Sequence, residues 1–178
     1  MTAATMIIAP VKGAEREVLD RPLDPDLVEL HQLWIAKCGA RLMPSRSDFD
    51  PSEFRKLLPT IELYDVGRTE GTYTVRLVGS ALVALAGRDN TGKPPGHGLP
   101  EADARAIVEI LNLVVRRRAP LFGRGRVYWI SGKSYRKYEG SVLPLSDDAA
   151  SVNMILCALK LEPPALRACG ATKRIKEG

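Results

Sequence analysis

Residues 152–161 are apolar on both alternating sets of positions. Val152, Met154, Leu156 and Ala158 form one set, and Ile155, Cys157, Leu159 and Leu161 the other. Successive side chains of a strand point to opposite faces, so a strand of this kind has no face to give to water. It belongs in the middle of a sheet that is covered on both sides. The rest of the chain must therefore supply at least two strands to flank it and two layers to cover it.

The flanking strands are visible as period-two segments. Ile61, Leu63 and Tyr64-Asp65-Val66 read as one strand and Tyr73-Thr74-Val75-Arg76-Leu77-Val78 as the next, joined by a turn over residues 67–71. Two further strands are expected over 124–130 and 135–145. The covering layers have helical spacing. Asp24-Pro25 is an N-cap followed by proline in the first turn. After it, Leu27, Leu30, Leu33 and Trp34 share a face and Gly39 ends the helix. Phe49-Asp50-Pro51-Ser52-Glu53-Phe54 has a capping box and a hydrophobic staple, predicting a second helix that Pro59 stops. A short helix over 80–86 ends at Gly87, and a Gly/Pro-rich loop over 88–98 follows. Residues 101–118 make a strong amphipathic helix with acids at its start and three arginines at its end.

The expected fold class is α+β: a five-stranded antiparallel sheet, a helical insert between strands two and three, and N-terminal helices. Residues 1–22 read as a flexible leader, 23–163 as the domain, and 164–178 as a basic flexible tail. No apolar run approaches the roughly 20 residues that cross a bilayer, and the N-terminus has no basic n-region, so a cytoplasmic location is expected.

Metal and nucleophile chemistry find little support. The three cysteines, Cys38, Cys157 and Cys169, form no CxxC pair, and the two histidines, His31 and His97, stand far apart. No metal site, no cofactor and no catalytic residue is expected. The net charge is +5, unevenly spread. Residues 116–137 contain eight basic residues and no acid, the tail is basic, and the remainder carries net negative charge. That distribution is a stripe on an acidic body, which makes nucleic acid an unlikely partner.

Several blocks look familiar in sequence. They are Trp34 with Gly39-Ala40-Arg41, then Met43-Pro44-Ser45-Arg46-Ser47-Asp48-Phe49-Asp50-Pro51, and Leu57-Leu58-Pro59-Thr60-Ile61. They continue with Arg76-Leu77-Val78-Gly79-Ser80, Gly87-Arg88-Asp89-Asn90-Thr91-Gly92-Lys93 and Leu143-Pro144-Leu145-Ser146. In this order, over residues 30–162, they resemble a PAS-like family of stand-alone domains widespread in alphaproteobacteria. The resemblance implies a PAS fold and a part in sensing, signalling or protein association, and it implies no reaction. The chain lacks the Asn-Cys-Arg-Phe motif of flavin photosensors and has no histidine in its long helix, where haem-binding PAS domains hold their axial ligand.

On this reading the chain is a non-enzymatic sensory or regulatory module. A small-ligand pocket is expected between sheet and helices, lined by Leu82, Leu85, Ile107 and Leu111 with Tyr128 and Tyr138 as polar wall. The alternative is an anion-binding module that holds a nucleotide second messenger or nucleic acid on Arg124, Arg126 and Arg136. A homodimer is expected around Leu27, Leu30 and Trp34. Among the shared motif residues, Arg41 and Arg46 are expected to pair with Asp48 and Asp50, and Asp89 with Thr91 to hold a turn.

Overall fold

A computed structural model describes residues 16–126 and 137–162. Its strands are β1 (Arg16–Leu19), β2 (Ile61–Val66), β3 (Tyr73–Val78), β4 (Leu121–Arg126), β5 (Lys137–Leu145) and β6 (Met154–Leu161). They form one antiparallel sheet in the order β1-β4-β5-β6-β2-β3. The doubly apolar strand β6 lies between β5 and β2, as its composition demands.

One face of the sheet is set by the register. Leu143 lies opposite Leu156, and Leu156 opposite Leu63; Ser141 lies opposite Ala158, and Ala158 opposite Ile61. Helix α1 (Pro25–Cys38) covers this face. Its Leu27, Leu30 and Trp34 are buried there, and the Trp34 indole Nε1 donates to the Pro144 carbonyl at 2.9 Å. The His31 ring packs on Phe122 with centroids 4.6 Å apart, and burial lowers its pKa. Lys160 on β6 holds Asp26 at 2.5 Å. The Glu139 carboxylate on β5 accepts the backbone N–H groups of Leu23 and Asp24 at 2.6 and 2.9 Å, which fixes where α1 begins.

The opposite face carries Tyr64, Val75 and Ile155, all buried. Helices α2 (Ser80–Ala86) and α3 (Glu101–Arg117) lie in the insert between β3 and β4. Leu111 and Val114 of α3 join the buried core, and Tyr73 Oη donates to Asn112 Oδ1 at 2.6 Å. Gly87 caps α2 with φ of 74°, a left-handed conformation that glycine adopts without penalty. A Cβ at Gly79 would lie 2.5 Å from the backbone of Leu58 and Pro59, so only glycine lets β3 end against that turn.

Three expectations need correction. The sheet has six strands, not five, because Arg16–Leu19, read as part of a loose leader, pairs with β4. The helix expected from Pro51 to Leu58 is two 3-10 turns, Pro51–Phe54 and Leu58–Thr60. Its Asp50/Glu53 capping box and the Phe49–Phe54 ring contact at 6.3 Å are present. Pro59 disfavours helical backbone at the residue before it, and the stretch left is far below the length at which helix propagation offsets nucleation. The strand expected over 124–130 starts at Leu121. Residues 127–136 and the tail over 164–178 lie outside the described residues.

Candidate functional site

Strand β2 places two polar side chains on the face toward α3. Glu62 and Tyr64 are two residues apart and so share that face, and Tyr64 Oη donates to Glu62 Oε2 at 2.5 Å. Register puts Cys157 of β6 directly opposite Glu62. Tyr64 is sealed in the core, whereas Glu62 and Cys157 lie deep in the fold without being closed off completely by their neighbours. Burial pushes the Glu62 carboxyl up from the usual glutamate range, and the bond from Tyr64 opposes this only in part. Burial also raises the Tyr64 hydroxyl and the Cys157 thiol well above their ordinary values, so both stay protonated.

Glu62 Oε1 has no hydrogen-bond partner among the described residues. The fully buried side-chain atoms without a partner among the described residues are Asn90 Oδ1 and Ser141 Oγ, so Glu62 Oε1 keeps some access to solvent. Farther along the same face, Gly123 of β4 and Gly140 of β5 stand opposite each other with no side chain on either, and Leu159 leans over Gly140. The Glu62 carboxylate can accept one further hydrogen bond, and the groups around it on this face are apolar.

The residues named from sequence fall on this frame unevenly. Ile107 and Leu111 of α3 pack with the sheet core, and Tyr138 lies half-buried on β5. Leu82 and Leu85 are buried on α2, which packs on the Leu58–Thr60 turn. Tyr128 lies outside the described residues. Glu62, Tyr64 and Cys157 were not anticipated as a polar group. The available signal was an acid inside an otherwise apolar strand bound to neighbour a doubly covered one.

The basic stripe is less free than its sequence suggests. Arg124 donates to Glu17 Oε2 at 2.7 Å across β1 and β4 and stands opposite Glu139. Arg126 is engaged in an interaction of its own, and Arg136 lies outside the described residues. The interface assigned to Leu27, Leu30 and Trp34 is also corrected. All three are buried within the single chain, Trp34 with 7 % exposure, because α1 itself is the second covering layer.

The motif residues are mostly structural. Arg41 pairs with Asp48 at 2.7 Å, and Asp48 Oδ2 also accepts the Ser45 N–H at 2.7 Å. Ser146 N donates to the Pro44 carbonyl at 2.8 Å, tying the loop before Pro51 to the end of β5 beside Pro144. Asp89 accepts from Thr91 N and Oγ1 at 2.9 and 2.7 Å, the turn expected. The loop then pairs with the open edge of β3 through Val75 and both Gly92 and Lys93. The Arg88 guanidinium lies over Gly98, where a Cβ would meet it at 2.6 Å. Arg46 does not pair with Asp50, which is engaged in capping Ser52 N at 2.9 Å.

No group of three or more His, Cys, Asp or Glu side chains among the described residues is placed to hold a metal ion. None of the described helices is long and apolar enough to cross a membrane.

The sheet order and the helical insert define an antiparallel α+β domain. A family model described as PAS domain matches residues 24–160, and the chain belongs to the PAS domain family. Among solved structures, the chain is similar to one reported for a fungal LOV domain photoreceptor. The two are 14 % identical with a TM-score of 0.40, over 77 % of this chain and 94 % of the other. No curated protein matches.

Proposed function

We propose that the chain is a non-enzymatic sensory and regulatory module that holds a small, largely apolar ligand between its sheet and α3. The observation that carries this reading is Glu62. Its carboxyl lies deep in the fold without being closed off completely, takes one hydrogen bond from Tyr64, and keeps Oε1 free among the described residues. A ligand hydroxyl, amide or amine would supply the missing donor, and Leu111, Ile107 and Ile155 would supply apolar contact. Cys157 beside Glu62 is a protonated thiol, so it serves as a soft apolar contact and not as a nucleophile. Membership of the PAS family supports the regulatory role.

Native mass spectrometry of the protein purified from its native cells tests the proposal. One small molecule per chain is expected on the wild type and its loss is expected in Glu62→Leu, with Tyr64→Phe intermediate. An unliganded mass for the wild type under every gentle condition would contradict it.

A further inference from the structure

A cavity of about 310 Å³ opens on the α1 side of the sheet, beside the Pro51–Phe54 turn. Phe49, Phe54, Ile61 and Leu156 form its inner wall, and Leu77, 41 % exposed, stands at its mouth. Arg46 also lines it and is the one charged side chain in an otherwise apolar lining. Its Nη1 donates to the Phe49 carbonyl at 3.1 Å, which holds the guanidinium beside another lining residue and occupies one of its five N–H donors.

The neighbouring acids are already engaged. Asp48 takes Arg41, Glu53 takes Lys37 at 2.8 Å, and Asp50 caps the turn that follows it. None of the ion pairs among the described residues includes Arg46. A half-buried guanidinium with no carboxylate, set in an apolar wall, is complementary to an anion that brings its own apolar body.

We propose that this cavity binds a small monocarboxylate with an alkyl or aryl body, its carboxylate on Arg46 and its body against Phe49, Phe54 and Leu156. The volume is that of about ten waters at ~30 Å³ each and lies at the lower end of small-molecule sites. An acid of about ten heavy atoms fills that space. This site is separate from Glu62, because Ile61 and Leu156 belong to the sheet face that α1 covers.

Isothermal titration of the full chain with sodium octanoate tests the proposal, with octan-1-ol as the uncharged body and sodium acetate as the bodiless charge. Octanoate is expected to bind with one site per chain, about tenfold or more tighter than either control. Arg46→Gln should reduce octanoate to the affinity of octanol while leaving octanol itself unchanged. Leu77→Trp, which closes the mouth without touching the charge, should weaken both. No octanoate binding to the wild type would overturn the proposal, and so would octanoate binding that survives both substitutions intact.

Discussion

Glu62 is where the chemistry of single residues bears most directly on behaviour. Its carboxyl is raised by burial, so the folded chain holds the proton more tightly than the unfolded chain does. The stability this residue contributes is full below the unfolded value of about 4.3. It is lost as pH rises through the higher native value. Glutamine keeps the shape and the acceptor for Tyr64 but carries no charge at any pH. Glu62→Gln is therefore expected to melt close to the wild type near pH 4 and progressively above it toward pH 8. Differential scanning calorimetry of ligand-free protein checks this, and a melting difference that is flat with pH would contradict it. Alternation in Ile61-Glu62-Leu63-Tyr64 by itself assigns Glu62 to a solvent face. Only the position of β2 beside a strand covered on both sides places that acid in the interior, so the residue was legible and its partner atoms were not.

At the scale of elements, α1 is the second covering layer, and Trp34 joins it to the sheet. Trp34 is buried, and its Nε1 satisfies the Pro144 carbonyl. Trp34→Ala is expected to cost about 3–5 kcal/mol in urea unfolding, through lost burial and the cavity left behind. Trp34→Phe, which keeps a ring and loses the donor, should cost about 1 kcal/mol for the hydrogen bond plus a smaller packing loss. A cost below 1 kcal/mol for the alanine variant would show that α1 is not held there. The same helix explains why some elements were readable and others were not. Asp24, Pro25 and Gly39 announce α1 through caps that act locally, and Gly87 does the same for α2. β1 gives no such signal. Arg16-Glu17-Val18-Leu19 is four residues long, Val18 on it is exposed, and its pairing is decided by β4, about a hundred residues away. The 3-10 turns after Asp50 show the converse, since a sound capping box cannot extend a helix into Pro59.

For the whole molecule, the doubly apolar composition of β6 settles the architecture. One strand that cannot face water forces a central position and two covering layers, and β1-β4-β5-β6-β2-β3 with α1 on one face and α3 on the other meets that demand. The inner face was legible at this scale and the polar group on it was not, because register between β2 and β6 decides that Glu62 meets Cys157. The two faces also separate two chemistries: a carboxyl acceptor at Glu62 and a guanidinium donor at Arg46. The most direct measurement of the central claim is a high-resolution crystal structure of the protein purified from its native cells. The account predicts a bound non-protein molecule between β2, β6 and α3, with a donor atom about 2.7–3.1 Å from Glu62 Oε1. Glu62 Oε1 bonded to a protein donor or to water alone, with no molecule in that space, would contradict it.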